Sequence, residues 1–171
     1  MLVTARLGHY SGAIKPLAAR WYQEDPDLAQ WMGFERPPDE ETIGRYLDAI
    51  RGNQSHTLLP IQTKSGEIVG YTHLAWEYQG LVNVGLVVPD QKGYAYSGMV
   101  LSLDHAFLRM GAHKIMAEVR EHHATVFEGL MRIEGVLREH RFIGGKWINA
   151  VALGLLREEY DTNPLLSETR R

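Results

Sequence analysis

The side chains able to move a proton near neutral pH cluster in the middle of the chain. Glu118, in the segment Ala117-Glu-Val-Arg120, stands at the end of a predicted strand. Beside a cleft, a carboxylate there can be tuned towards base catalysis; in open solvent it is an ordinary strand residue. His73 and Glu77, in Tyr71-Thr-His-Leu-Ala-Trp-Glu77, fall on another predicted strand and just past it. A histidine titrates near neutral pH and can relay a proton, or can simply be a satisfied strand residue. His122 and His123 are adjacent and have no His, Asp or Glu partner at ligand spacing, so we expect no metal and read them as a polar helix entry. His105 and His113 read as packing or capping residues. The chain has no Cys, which excludes disulfides, thiolate zinc sites and a cysteine nucleophile.

A second chemical feature is the run from Leu81 to Gly98, where an apolar strand enters a Gly-containing turn that opens a long amphipathic helix. Free N–H groups at a helix start, with the helix dipole behind them, make an anion site. Gly93 lets the backbone approach a phosphate, Ala95 is too small to block it, and Lys92 adds a charge. The same pattern also occurs as nothing more than a tight turn.

These residues need elements to hold them. Val3 to Leu7 reads as a short strand, followed by helical stretches at Ile14–Tyr22 and Asp27–Met32. Pro37-Pro38-Asp39 starts a clearer helix whose Ile43, Tyr46, Leu47 and Ile50 share one face, closed by Gly52-Asn53. Thr57–Thr63 and Ile68–Trp76 read as a hairpin, and Leu81–Val88 as a third strand. The helix Tyr96–Met110, the strand Lys114–Val119 and a short helix from His122 to about Leu130 come next. Gly135–Phe142 and Trp147–Leu155 flank a Gly144-Gly145 turn, and 161–171 reads as a loose polar tail after one domain spanning 1–160. The order predicts a mixed α/β domain with one sheet flanked by helices.

With 171 residues, 44% hydrophobic and 23% charged, the composition is that of a globular protein with a real core. The net charge of −3 argues against general nucleic-acid binding, and no apolar run is long enough to span a membrane, so a cytoplasmic location is expected. Between Glu24 and Asp48 eight acids (Glu24, Asp25, Asp27, Glu35, Asp39, Glu40, Glu41, Asp48) face two bases, Arg36 and Arg45. Such a run is a solvated face or a field that attracts a cationic ligand. Trp21, Tyr22, Trp31 and Phe34 in that region either line a pocket or belong to the core.

The stretch from Gly93 to Phe107, followed by Met110-Gly-Ala-His-Lys-Ile115, resembles the acetyl-CoA motif of the GNAT N-acetyltransferases, most nearly the RimJ/RimL and spermidine N-acetyltransferase branch. Glu134 to Tyr160 resembles that branch's final hairpin, Trp31-Met-Gly with Pro37-Pro38 its N-terminal helices, and Gly66-Glu-Ile-Val-Gly70 its third-strand entry. The likeness runs from about Ala5 to Tyr160. It implies a GNAT fold with a mixed sheet of about seven strands whose fourth and fifth strands splay apart. It also implies acetyl-CoA as co-substrate and direct transfer of the acetyl group to an amine, without a covalent enzyme intermediate. By the same resemblance, backbone groups of Leu86, Val87 and Val88 pair with pantetheine, and N–H groups of Gln91, Lys92, Gly93, Tyr94, Ala95, Tyr96 and Ser97 hold the pyrophosphate. Glu118 matches a proposed base in RimI-like members, and Asn83, where the branch commonly has Glu, is able to hydrogen-bond an acceptor or a water. The acceptor remains open among a protein N-terminus, a polyamine, an amino sugar or antibiotic, and an aminated nucleoside. Homodimerisation through the sheet edge or the final hairpin is a further expectation.

The chain also departs from the pattern. Asp90 stands where the family signature begins with Arg or Gln, and the turn from Pro89 to Gly93 is about two residues short. Where the family has the Tyr that returns a proton to the thiolate, Glu121-His-His-Ala-Thr-Val-Phe127 offers Phe127, which has no hydroxyl. These departures leave a second reading, a GNAT-fold CoA-binding or regulatory module without turnover.

Overall fold

In a computed structural model, residues 5–89 and 93–169 are described. The elements run β1 (Ala5–Leu7), α1 (Ile14–Glu24), α2 (Pro26–Trp31), α3 (Glu40–Gly52), β2 (His56–Thr63), β3 (Ile68–Tyr78) and β4 (Leu81–Val87). After α4 (Ala95–His105) come β5 (Lys114–Arg120), β6 (Arg132–Ile143), β7 (Lys146–Leu156), α5 (Arg157–Thr162) and α6 (Pro164–Thr169). Local chemistry sets several of these boundaries. The Asp25 carboxylate accepts from the Leu28 N–H at 2.8 Å and Pro26 opens α2, while Asp39 caps α3 through the Thr42 N–H at 2.8 Å. Gly144 and Gly145, at φ +58° and +77°, supply the left-handed pair that a two-residue hairpin turn between β6 and β7 requires.

The seven strands form one sheet in the order β1-β2-β3-β4-β5-β7-β6. Every pairing is antiparallel except β4 with β5, which is parallel. One face packs on α4 through Leu74, Val82, Val84, Ile115 and Ala117, together with Met99, Leu103 and Phe107. The other packs on α1 and α3 through Leu58, Tyr71 and Val87. Because side chains alternate along a strand, Ala117 and Val119 point to the α4 face while Glu118 and Arg120 point to the opposite one, under α2.

Three sequence expectations change. The last turn of the predicted helix Tyr96–Met110 widens into a π turn at Ala106–Met110, where the Phe107 carbonyl accepts from Arg157 Nη1 at 2.7 Å. The short helix expected after His122 is a 3-10 turn, Glu121–Phe127. The segment expected as a loose tail is helical to residue 169, and Leu166, fully buried, joins the α4-side core with Leu130 and Tyr160. Its polar composition hid the one buried leucine that anchors it. No helix of the described residues is long and apolar enough to cross a membrane.

Candidate functional site

The parallel pairing of β4 with β5 lasts for three residues only: Leu81 with Lys114, Val82 with Ile115, Asn83 with Met116. Both strands continue, to Val87 and Arg120, without pairing to each other. The edge of β4 from Val84 onward therefore has no strand partner on that side among the described residues. A cleft opens there, lined by Val84, Gly85, Leu86 and Val88 from one side and by Ala117, Glu118, Val119 and Arg120 from the other. Trp31 and Met32 cover it from α2, and Ala95, Met99, His123 and Phe127 close its far end.

The start of α4 abuts this cleft. Tyr94 precedes its first turn; among the described residues no side chain caps it, and no acidic residue stands in that turn. The N–H groups of Ala95 and Tyr96 have no earlier helical carbonyl to donate to, and Gly98 N–H donates to the Tyr94 carbonyl at 2.8 Å. Gly93 has φ +66°, and a Cβ there would meet no atom of the described residues beyond its chain neighbours within 4 Å. Its freedom thus serves the backbone turn and leaves open space in front of it. Burial raises the Tyr96 phenol above its usual range, and Ser97 is buried. Gln91 and Lys92, expected to extend this anion site, lie outside the described residues.

The expected pantetheine strand divides by face: Leu86 and Val88 line the cleft, while the Val87 side chain is fully buried towards α1 and α3. Of the four polar candidates, only Glu118 lines the cleft. Its carboxylate accepts from Arg141 Nη2 at 3.0 Å and lies 3.3 Å from His140 Nε2. His73 sits on the same sheet face, cross-strand from Gly85, with its Nε2 2.6 Å from His56 Nδ1 and the two rings stacked. Burial, followed by the neighbouring His56, lowers its pKa to about 4, so it is neutral at physiological pH. Glu77 accepts from Asn83 Nδ2 at 2.6 Å, at the last paired position of β4 before the splay. The two satisfy each other there, and neither lines the cleft.

Phe127 is 5% exposed and contributes a ring and no proton to the cleft. His123 lies beside it and has the N–H that Phe127 lacks. Of the N-terminal aromatics, Trp21 and Tyr22 are core and Phe34 packs on Tyr22 and Tyr46, whereas Trp31 is a cleft residue. The guanidinium groups of Arg120 and Arg141 lie 5.9 Å and 5.4 Å from its ring centroid. Among the described residues no group of three or more His, Cys, Asp or Glu is placed to hold a metal.

The fold recurs in solved structures. No family model matches the chain. The spermidine N-acetyltransferase from Vibrio cholerae in complex with CoA and spermine superposes with a TM-score of 0.80 at 15% identity, over 93% of this chain and 99% of that one. A GNAT-family acetyltransferase from Bacillus anthracis gives 0.75 at 18% identity, over 91% and 96%. A dodecameric structure of the Vibrio cholerae enzyme gives 0.74 at 15%, over 94% and 97%.

The fold is the GNAT fold. Within it, the seven-stranded mixed sheet and its splay stand where the sequence placed them. Sequence reasoning overlooked Arg120 and His123 as cleft residues, and Arg141 as the partner of Glu118. His123 had a visible signal, since it lies directly upstream of the position where a proton donor was sought. Arg141 had none, because only the pairing of β6 with β7 brings it near Glu118.

Proposed function

We propose that this protein transfers an acetyl group from acetyl-CoA directly to an amine. The observation that carries the reading is the edge of β4 beyond Val84, which has no strand partner on that side among the described residues, together with the start of α4 beside the cleft. An extended pantetheine arm bears amides that can pair with such an edge, and a pyrophosphate suits N–H groups at a helix start. Leu86 to Val88 would hold the arm, and the turn from Gly93 to Ser97, with Gln91 and Lys92, the phosphates. Neutral amine attacks the thioester carbonyl, the C–S bond breaks, and the proton released by the nitrogen passes to Glu118 directly or through a water. A backbone N–H at the splay stabilises the oxyanion, and His123 is suited to protonate the departing thiolate in place of Phe127.

The test is thiol release from acetyl-CoA with a panel of amines, alongside calorimetry with CoA. Binding with turnover supports the enzyme. Micromolar CoA binding with no turnover of any amine supports the second reading, a binding module, which Phe127 favours by leaving the cleft without the family's hydroxyl.

Self-association belongs to the same proposal. The outer hairpin carries Ile133, Val136, Phe142 and Trp147 at 50–64% exposure, and β6 is an edge strand. Apolar side chains gathered on an edge support a contact between copies. Light scattering on wild type and a Trp147→Glu variant tests it, a smaller species being expected for the variant.

A further inference from the structure

Two guanidinium groups beside the cleft, those of Arg120 and Arg141, each keep a buried donor without a partner among the described residues. Arg141 is paired with Glu118, yet its Nε is buried with no hydrogen-bond partner among the described residues. Arg120 has no ion-pair partner among them, its Nη2 is buried and unpartnered, and the group it does touch is the Trp31 ring. The acids nearby are otherwise placed. Asp25 lines the cleft too, but its carboxylate caps α2, while Asp27 and Glu121 line the adjoining hollow, which Arg120 also lines; none of the three reaches ion-pair distance of Arg120. Two guanidinium groups beside one indole, each with an unused buried donor, form a receptor for a planar or tetrahedral oxyanion. Trp31 holds their planes in place. Arg120 follows Glu118 by two residues on the same face of β5, roughly 7 Å along the strand, so both can reach one small molecule.

We propose that the amine acceptor carries an oxyanion of its own, a carboxylate or phosphate, and that Arg120 holds this group while Glu118 faces the amine. The proposal rests on the acetyl-transfer reading and narrows it. A polyamine, with cations at every end, places a charge against Arg120 that the cleft repels. An amino acid or an aminoalkyl phosphate places there the counter-charge that Arg120 lacks.

The experiment compares amines that differ only in the anionic group: phenethylamine with phenylalanine, putrescine with ornithine, and ethanolamine with phosphoethanolamine. The phosphate pair separates the two oxyanions. Wild type should prefer the anionic member of at least one pair by tenfold or more in kcat/KM and reverse that preference in none. Arg120→Gln should bring the ratio to within about twofold of unity with its melting temperature little changed, and Arg120→Lys should keep part of the preference. A better cationic member throughout, or a ratio that survives Arg120→Gln, overturns the proposal. If no amine is acetylated, the same pairs are titrated against the Trp fluorescence that Trp31→Phe removes. Quenching by the anionic members alone, lost in Arg120→Gln, upholds the site although the enzymatic reading fails; an equal or absent response overturns the site as well.

Discussion

Arg141 on β6 donates to Glu118 on β5 at 3.0 Å although β7 lies between the two strands. The reach is possible because β7 presents Ala150 and Ala152 opposite Arg120 and Glu118, and neither stands high enough to block it. Both partners are partly exposed, at 37% and 39%, so the bond adds at most about 1 kcal/mol to stability. Its main effect is to aim the carboxylate along the cleft wall.

Glu118→Gln should therefore leave the fold and CoA affinity intact and lower kcat by about 10²-fold, the usual loss for a general base. Steady-state kinetics from pH 6 to 9, with CoA calorimetry in parallel, checks this. A variant with wild-type kcat across that range assigns the proton to solvent.

Gly93→Val should weaken CoA binding at least tenfold. The left-handed φ of +66° costs a β-branched residue about 1–2 kcal/mol, and its side chain fills the open space in front of the turn. Among the described residues no atom beyond the chain neighbours lies within 4 Å of the new Cβ, so the melting temperature should fall by only a few degrees. Unchanged affinity in the folded variant would place the phosphates elsewhere.

How much of this was legible depended on distance along the chain. The β4–Gly93–α4 run, the Asp39 cap and the Gly144-Gly145 hairpin were readable because the residues that decide them are neighbours in sequence. The cluster of Trp31, Glu118, Arg120 and Arg141 was not, because α2, β5 and β6 meet only in the folded sheet. Nor could composition show how the N-terminal acids are used. Asp25 and Asp39 cap helices, and Glu24, Glu41 and Asp48 pair with Arg20, Arg45 and Lys15.

That bookkeeping yields a prediction about salt. With five of the eight acids engaged locally, Glu40→Gln combined with Glu41→Gln should change kcat/KM by less than twofold at physiological ionic strength. Exposed charges farther from the cleft than the roughly 8 Å screening length steer little at physiological salt. A severalfold loss that disappears at high salt would show that the helices do attract the acceptor.

The His56–His73 pair makes stability depend on pH. Unfolded, His73 takes a proton near 6.5; folded, burial and His56 hold this back to about 4. Between those values the unfolded chain binds more protons, so stability is complete above about pH 6.5 and falls as pH drops towards 4. Melting temperatures at pH 7.5, 6 and 5 should decline, and His73→Gln should flatten the decline while leaving kcat above pH 7 within about threefold. An identical slope in the variant would assign the effect to other groups.

Leu166 tests whether the C-terminal helices belong to the folded unit. It is fully buried against the cluster that contains Leu130 and Tyr160, and Tyr160 in turn stacks on Phe107 and donates to Asp104 at 2.7 Å. Asn163 secures the join, donating to the Gly129 carbonyl at 2.8 Å and accepting from the Leu165 N–H at 3.0 Å. Leu166→Ala leaves a cavity on the α4 side of the sheet, and such truncations cost about 2–5 kcal/mol. The urea midpoint should fall by an amount matching that range, with the slope of the transition unchanged. Glu118 and Arg120 lie on the opposite face, so kcat at 25 °C should stay near wild type. A loss under 0.5 kcal/mol would mean that these helices pack only loosely on the sheet in solution.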